Sequence, residues 1–342
     1  MLVSSSGGVI TPEASTVYLI SEAHSYLKAA ALRAVAQLGV ADHLGDDPRP
    51  VEELAEATGT DADFLHRVIR LLATIDVFRQ EEDGRISLTP LGQGLRTDSR
   101  YSARWGVVMS TMHTHWSSAF ELGDGLRTGK APFPALFGEQ YFDYVAGNPE
   151  AAAEFHGGMG SFSGAARRLA LDEYSFPEAG TVVDVGGGTG GFLRDILLEN
   201  PGLRGVLFDQ AHVLPGETPR DIASERWTEV AGDFFEEVPA DGDLYVLSYI
   251  THDWSDEECV RILRNCRKAM APGARIAVFD AVVEPGNEPD DAKLLDLVMM
   301  MLVSGRERTA AEFGRIFDQA GLRLARILPA QGPLSVVEAV AV

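Results

Sequence analysis

The chain is 342 residues long and 45% of its residues are hydrophobic, so it has enough apolar side chains to fill the cores of two domains, and large-scale disorder is excluded. It carries 29 basic and 51 acidic residues, which gives a formal net charge of -22. A field of this sign repels phosphate backbones and anionic membrane surfaces, and it therefore argues against nucleic acid or a membrane as a partner.

The first 100 residues predict three helices followed by a hairpin, which is the outline of a winged helix. The first helix, 26–39, ends at a glycine, and the second, 50–59, begins with proline and ends with glycine. The third covers 61–78, and a hairpin with an Asp-Gly turn follows over 78–88. We expect the apolar face of the third helix to consist of Phe64, Leu65, Val68, Leu71, Leu72 and Ile75.

The charges on this predicted winged helix do not suit DNA. Its third helix carries His66, Arg67 and Arg70 but also three aspartates, and the hairpin adds three consecutive acids at 81–83. Contact with phosphates needs a basic face, so we interpret residues 1–100 as a packing and dimerisation domain. A regulator that binds a small molecule and DNA stays open as an alternative.

Residues 101–175 are predicted to be helical and rich in aromatic side chains. Most of these side chains belong in a core, but some, Trp116 among them, are candidates to line a pocket for a flat ring. His113 and His115 form the one close pair among eight histidines, and no acid or cysteine accompanies them at the spacing of metal ligands. We therefore predict no metal site and expect this pair to face the pocket or solvent.

Hydrophobic strands alternate with helices over 176–342, which indicates an α/β domain with a Rossmann-like, doubly wound and mostly parallel sheet. The segment 329–333 joins the last two strands without a helix, so one of them pairs antiparallel. Ligands of such sheets bind beyond the carboxyl ends of the strands. The seven predicted strands cover 181–185, 205–209, 227–231, 243–250, 275–281, 322–328 and 335–342.

A glycine-rich loop follows the first of these strands. Asp184 lies near the strand end, and Gly186, Gly188 and Gly190 can adopt positive φ and let backbone N–H groups approach a ligand closely. The carboxylate suits the ammonium group of S-adenosylmethionine, whereas a pyrophosphate needs bare N–H donors. Asp209, 25 residues after Asp184, suits the ribose of either cofactor. The loop favours S-adenosylmethionine, but it also satisfies G-x-G-x-x-G, so a nicotinamide oxidoreductase stays open.

A histidine and two acids lie at or after later strands. His252 follows the fourth strand and precedes a helix with the capping box Ser255 and Glu258, Asp280 closes the fifth strand, and Glu307 precedes another capped helix. A neutral imidazole beside carboxylates suits general base catalysis, because an acid holds one ring nitrogen protonated and leaves the other free to take a proton. The alternative is a solvated Asp280 and an ion pair between Glu307 and an adjacent arginine.

The cysteines and the hydropathy pattern indicate a cytoplasmic protein. Cys259 and Cys266 are seven residues apart in a helical pattern, about 10 Å along the helix axis, which is too far for a disulfide. No stretch approaches the ~20 uncharged apolar residues of a membrane span, and the chain start lacks the pattern of a leader sequence.

Three motifs in fixed order carry a resemblance to a known family. They begin at Gly232 (Gly-Asp-Phe-Phe), His252 (His-Asp-Trp-Ser-Asp-Glu) and Gly305 (Gly-Arg-Glu-Arg-Thr-Ala-Ala-Glu-Phe). Together they resemble the S-adenosylmethionine-dependent O-methyltransferases of the plant caffeic acid and bacterial antibiotic-tailoring type. The resemblance covers nearly the whole chain and implies a homodimer.

The resemblance also implies roles for individual residues. Gly186 and its neighbours would hold the methionine end of the cofactor, and Asp209 the ribose. His252 would be the base, flanked by Glu307 and by Asp280, which stands where plant relatives carry a glutamate with one more methylene. The remaining cofactor residues would be Gly232, Asp233 and Phe234 at the adenine, Trp254 beside the adenosine, and Ser248, which stands where plant relatives carry a lysine.

On the acceptor side, the resemblance points to two methionines that clamp an aromatic ring in plant relatives. They correspond to Met159, in a motif with Phe155, and to Met299. Asp253, next to the base, completes the predicted acceptor residues together with His113 and Trp116. The function implied is metal-independent methyl transfer to a phenolic or enolic hydroxyl of a small aromatic molecule, as in antibiotic and other secondary metabolite biosynthesis. The alternative is an enzyme of the same fold that uses bound S-adenosylmethionine for hydroxylation or a pericyclic reaction.

Overall fold

Residues 11–45, 47–303 and 305–342 are described by the structure, a computed structural model, and they divide into two units. The N-terminal unit contains the described residues up to His113 together with Pro149–Phe162. The second unit contains Thr114–Asn148 and Ser163–Val342. The predicted helical segment 101–175 is therefore shared between the units, and the domain limits at 100 and 175 stay a proposal. The chain start, where no leader was expected, lies outside the described residues.

The N-terminal unit has the predicted order of helices and hairpin. Gly39 and Gly59 end two helices in the left-handed conformation, with φ of 66° and 65°. Gly84 turns the hairpin, whose two strands pair antiparallel. The elements are α1 (Pro12–Ala23), α2 (Tyr26–Leu38), α3 (Val51–Thr58), α4 (Ala62–Ala73), β1 (Phe78–Gln80), β2 (Ile86–Leu88), α5 (Arg104–Ser110) and the first part of α10 (Pro149–Glu173).

The predicted apolar face of α4 includes one exposed residue, Phe64, and omits the fully buried Ile69. Phe64 is 69% exposed, and the Arg67 guanidinium lies 5.5 Å from its ring centroid. The buried side chains of α4 are Leu65, Ile69 and Leu72, which follow the i, i+4, i+7 spacing of one face. Phe64 is rotated about 100° away from Leu65 at ~3.6 residues per turn, and it falls outside the stripe that contacts the core.

The second unit contains a seven-stranded sheet, and this prediction is confirmed. Its strands are β3 (Gly180–Val185), β4 (Leu203–Asp209), β5 (Trp227–Ala231), β6 (Gly242–Ser248), β7 (Met270–Asp280), β8 (Leu322–Pro329) and β9 (Ser335–Ala341). The order is β5-β4-β3-β6-β7-β9-β8. Only β9 runs antiparallel to its neighbours β7 and β8, as expected from a connection without a helix.

The second unit also contains helices, several of which pack against the sheet. They are α6 (His113–Phe120), α7 (Leu122–Thr128), α8 (Pro132–Phe137), α9 (Tyr141–Gly147), the last part of α10, α11 (Gly191–Glu199), α12 (Asp256–Ala269), α13 (Asp291–Leu302) and α14 (Ala310–Gln319). Both predicted capping boxes, at Ser255 and Thr309, are present. The strand order reverses between β3 and β6, so the crevice for a ligand is expected beyond their carboxyl ends.

The core of this unit lies between the central strands and helices α12 and α14. Cys259, Leu263 and Cys266 of α12 are fully buried in it, and the two cysteines are free thiols whose pKa burial raises to about 12. Among the described residues, no helix is long and apolar enough to cross a membrane.

Shortening a side chain in this core tests the packing. Leu263→Ala should lower the free energy of unfolding by about 2–5 kcal/mol, because it removes buried apolar contacts and leaves a cavity. Leu294→Ala, on α13 and 66% exposed, is the matched control and should change stability by less than about 0.5 kcal/mol. Urea denaturation followed by circular dichroism measures both. Equal effects of the two variants would contradict the placement of α12.

Candidate active site

The glycine loop after β3 has the backbone conformation expected from its sequence. Gly186, Gly188 and Gly190 have φ of 72°, 62° and 82°, values that L side chains rarely adopt. A Cβ on Gly186 would lie 2.6 Å from Ile250 Cδ1, whereas one on Gly188 would meet no described atom within 4 Å. The loop therefore packs closely on one side and leaves its backbone accessible on the other, as a cradle for a ligand requires.

Asp184 lies beneath this loop as an incompletely satisfied carboxylate. It is 1% exposed, and its Oδ2 has no hydrogen-bond partner among the described residues. Burial raises the pKa of Asp184 to about 7, against the opposing effect of Arg167. A buried carboxylate with an unpaired oxygen is stabilised by a cationic group, so Asp184 fits the ammonium end of the predicted cofactor.

The predicted ribose and adenine residues lie after β4 and β5, next to the loop. Asp209 Oδ2 accepts a hydrogen bond of 2.8 Å from Gly188 N, which ties the two strand ends together. Asp233 Oδ1 accepts a hydrogen bond of 2.8 Å from the backbone N of Phe235 in a tight turn. The absent side chain of Gly232 leaves room for Phe208, since a Cβ there would lie 2.5 Å from that ring.

Aromatic side chains from two loops meet beside these acids. The Phe234 and Trp254 rings pack edge to face with centroids 5.9 Å apart, and Phe235 also contacts Trp254 at 4.8 Å. A Cβ on Gly186 would lie 3.4 Å from the Phe234 ring, so this wall borders the glycine loop. The residues predicted to hold the adenosine are therefore brought together at the strand ends.

Ser248 ends β6 and is buried, and its contact was not foreseen. Its Oγ accepts a hydrogen bond of 2.9 Å from Nε of Arg167, which lies on α10, 81 residues earlier in the chain. Nothing in the sequence pattern singled out Arg167, because it is one of two consecutive arginines in a helical stretch.

His252 is held by Glu307. His252 lies in a short turn of 3-10 helix, Thr251–Asp253, and is 8% exposed. Its Nδ1 lies 2.7 Å from Glu307 Oε1, and its Nε2 lies 3.5 Å from Asp253 Oδ1. The alternative ion pair of Glu307 with a neighbouring arginine is wrong, because Arg306 pairs with Glu312 and Arg308 with Asp256. A carboxylate on Nδ1 leaves Nε2 as the nitrogen that can exchange a proton with a substrate.

Asp280, predicted to flank His252, is hydrogen-bonded to Thr251 instead. It is fully buried, so the alternative of a solvated carboxylate is wrong. Its Oδ2 accepts a hydrogen bond from the Thr251 hydroxyl, and its Oδ1 has no partner among the described residues. Asp280 is one methylene shorter than glutamate, and it acts on His252 through its charge rather than through a hydrogen bond.

Carboxylates around His252 favour its protonated form. Burial by itself lowers the pKa of His252, but Asp253, Glu307 and Asp280 together raise it to about 10. Burial also raises the pKa of Asp253, to about 6. The arrangement therefore makes His252 an unusually strong base for an imidazole.

A short extended segment, 305–308, delivers Glu307 to the histidine. The Arg306 N–H donates to the His252 carbonyl oxygen at 2.8 Å, and the fully buried Arg308 donates to the carbonyl oxygens of Thr251 (2.6 Å) and Trp254 (2.8 Å). Gly305 permits this approach, because a Cβ there would collide with the backbone of the histidine loop. From the sequence, Arg308 was only a possible ion-pair partner of Glu307, and no local pattern predicted this structural role.

The predicted acceptor residues fall in both units. Met299, half-buried on α13, Trp116 on α6 and Asp253 belong to the second unit. His113, Phe155 and Met159 belong to the N-terminal unit, and their part in acceptor binding stays a prediction.

His115, which was expected to face the pocket or solvent, is buried, and Tyr141 beside it was not in the predicted set. His115 is 6% exposed, and burial lowers its pKa to about 4, so its ring is neutral at pH 7. Its ring packs edge to face against Tyr141 with centroids 5.9 Å apart, and the pKa of Tyr141 is raised first by burial and then by the charge of Asp253. These rings therefore lie on the side of His252 where Asp253 is found.

Comparison with known proteins identifies the two parts of the chain. A family model described as an O-methyltransferase domain matches residues 119–323, and one described as an O-methyltransferase dimerisation domain matches residues 20–98. Phenazine O-methyltransferase PhzM of Lysobacter antibioticus is 40% identical, over 90% of this chain and 91% of that protein.

Solved structures are similar over almost the full length. CalO1, a methyltransferase of calicheamicin biosynthesis solved with S-adenosylhomocysteine bound, matches with a TM-score of 0.92 and 44% identity over 98% of this chain and 100% of that chain. NcsB1, an O-methyltransferase of neocarzinostatin biosynthesis, was solved with S-adenosylmethionine and 2-hydroxy-5-methyl naphthoic acid. It matches with a TM-score of 0.72 and 32% identity, over 92% of this chain and 96% of that chain.

Gly305→Ala tests how the segment 305–308 holds the site. The added methyl group should push the segment away from the histidine loop and weaken the His252 to Glu307 hydrogen bond. The pKa of His252, followed by NMR of its ring, should then fall from about 10 toward its ordinary value of 6.5. Gly314→Ala, on α14 with no described atom near its Cβ position, is the control and should leave that pKa unchanged. A folded Gly305→Ala variant with an unaltered His252 titration would refute this account.

Proposed function

The chain belongs to the S-adenosylmethionine-dependent O-methyltransferases of secondary metabolite biosynthesis, and we propose that it methylates a phenolic or enolic hydroxyl of a small aromatic acceptor with His252 as general base. The observation that carries the proposal is the 2.7 Å contact between His252 Nδ1 and Glu307, which leaves Nε2 to take the proton. When bound, S-adenosylmethionine supplies an electrophilic methyl group on its sulfonium sulfur.

In this proposal, the residues at the strand ends hold the cofactor in one orientation. The glycine loop and Asp184 bind the amino acid end, Asp209 binds the ribose, Asp233 and Phe234 bind the adenine, and Trp254 lies beside the adenosine. Supporting this, Asp184 has an unsatisfied oxygen and the loop leaves Gly188 open. Such alignment of two reactants can contribute roughly 7–11 kcal/mol of barrier reduction.

His252 then removes the proton from the acceptor hydroxyl as the methyl group is transferred. A phenol with a pKa near ~10 is mostly protonated at neutral pH. Because the pKa of His252 is raised to about 10, transfer of the proton from such a phenol to the neutral ring is nearly balanced in free energy, and only the deprotonated fraction of His252, which grows as the pH rises, can accept it. Glu307 and Asp280 stabilise the imidazolium that forms, and the proposed step needs no metal ion.

The acceptor is proposed to be a flat aromatic molecule. Rings from α8 and α9 pack together in the second unit, with Phe133 and Phe137 stacked at 4.5 Å and Phe133 edge to face with Tyr141 at 5.2 Å. Phe133 is fully buried in this cluster, so the cluster supports only an apolar setting for the acceptor. The naphthoic acid bound to NcsB1 supports the same class. A homodimer through the dimerisation domain and a cytoplasmic location stay proposals.

Incubation with methyl-labelled S-adenosylmethionine and a panel of polyphenols and aromatic polyketides, followed by mass spectrometry, tests the function. His252→Ala should slow turnover by about 10²- to 10⁴-fold, because a positioned base contributes that much, while S-adenosylhomocysteine affinity stays the same. His24→Ala, at the exposed C-cap of helix α1, is the control. Full activity of His252→Ala would remove the histidine from the mechanism. Products that are modified but not methylated would favour the non-methylating alternative.

The pH profile tests the link between His252 and Glu307. A general base must be deprotonated to act, so kcat/KM should rise with pH toward the pKa of His252, about 10. Glu307→Gln removes a charge that raises this pKa, so the rising limb should move toward neutral pH and the plateau rate should fall. Glu257→Gln, exposed on α12, is the control and should leave the profile in place. An unshifted profile in Glu307→Gln would contradict the assignment.

A further inference from the structure

Arg167 is a half-buried cation at the edge of the cofactor crevice that the proposed function has not used. It lies on the part of α10 that belongs to the second unit. Its guanidinium lies 5.2 Å from the ring centroid of Phe192, at the start of α11, and 5.6 Å from that of Tyr249, just after β6. Together with the Ser248 hydrogen bond, these rings fix the guanidinium between the carboxyl end of β6 and the glycine loop.

This guanidinium has no ion-pair partner among the described residues. It interacts electrostatically with Asp184 and Asp280, but neither carboxylate lies within ion-pair distance. The neighbouring Arg168 is different, because it pairs with Glu199 and Asp172 on the helix surface. Arginine keeps its charge in proteins, and a charge withdrawn from water is costly unless it is paired. Arg167 Nη2 donates one long hydrogen bond of 3.5 Å, to the Ser248 carbonyl oxygen, which does not neutralise the charge, so the Nη groups suit an anionic group of a ligand.

The unsatisfied carboxylate of Asp184 is the opposite charge in the same crevice. It lies on β3, and Ser248 lies on β6, the strand paired with β3. A cation and an anion that are both incompletely paired complement a zwitterion, and an α-amino acid group carries one carboxylate and one ammonium. The backbone of Tyr249, the residue after Ser248, has φ of 56°. This conformation is rare for a bulky residue and is found at functional sites.

We propose that Arg167 binds the α-carboxylate of S-adenosylmethionine while Asp184 accepts from its ammonium group. The proposal rests on the cofactor of the proposed function, but it is independent of the acceptor and of His252. It makes the amino acid end of the cofactor, and not only its adenosine, a determinant of affinity.

Ligands that differ only in the amino acid end test this assignment by isothermal titration calorimetry. The set is S-adenosylhomocysteine, its decarboxylated analogue with a 3-aminopropylthio chain, and 5′-methylthioadenosine. The native protein should prefer S-adenosylhomocysteine over the decarboxylated analogue by about 10- to 150-fold, the range of a hydrogen bond between charged groups. Arg167→Met should reduce this preference to about 3-fold or less and leave 5′-methylthioadenosine affinity unchanged.

Two variants serve as controls for this experiment. Arg168→Met removes the same charge one residue along α10, where it is already paired, and should keep the full preference. Arg167→Lys retains the charge without the planar fork and should keep an intermediate preference, which also covers the case that Arg167→Met does not fold.

Three results would overturn the assignment. They are a native protein that does not distinguish the decarboxylated analogue, an Arg167→Met variant with undiminished preference, and equal loss of affinity for all three ligands, which would make Arg167 a purely structural residue. The two proposals can also fail separately. If the carboxylate preference depends on Arg167 but no methylated product forms, the proposed function is refuted and this inference stands.

Discussion

The docking of residues 305–308 onto the loop after β6 is the contact on which the proposed chemistry depends. Arg308 joins the two segments by donating N–H groups to the carbonyl oxygens of Thr251 and Trp254. Among the described residues, the other donors to these oxygens are the weakly donating Cys259 thiol and, for Thr251, the Trp254 N–H through a long bond. Val282, just beyond β7, forms a parallel bridge with the same segment. Glu307 lies 55 residues after His252 in the chain. These contacts hold its segment against the histidine loop on one side and against Val282 on the other.

The charges of the crevice are arranged in two regions with different consequences. Around His252, carboxylates outnumber cations, so the field favours a proton on the ring and makes it a strong base. Around the glycine loop, Arg167 and Asp184 lie near each other without pairing, which leaves both available to a ligand of mixed charge. The overall charge of -22 does not reveal this division, because it averages over the whole surface.

Family membership establishes the cofactor more firmly than the acceptor. The proposed cofactor contacts come from backbone turns and strand ends that the sheet itself positions, so they are tied to the fold. The proposed acceptor residues lie instead mostly on helices, among them α6 and α13, whose side chains can differ without altering the sheet. Enzymes of one fold can therefore share a methyl donor and still act on different acceptors.

The sequence by itself determined the seven strands, the capped helices and the glycine loop, because alternation, capping boxes and positive φ are local properties of neighbouring residues. It also placed His252, Asp280 and Glu307 at strand ends or helix starts. Only the tertiary structure decided which of them touch: Glu307 holds the imidazole, Asp280 bonds to Thr251, and Phe64 leaves the core. The contacts of Arg167 with Ser248 and of Arg308 with Thr251 join residues 81 and 57 positions apart, and no local pattern encodes such distant pairs.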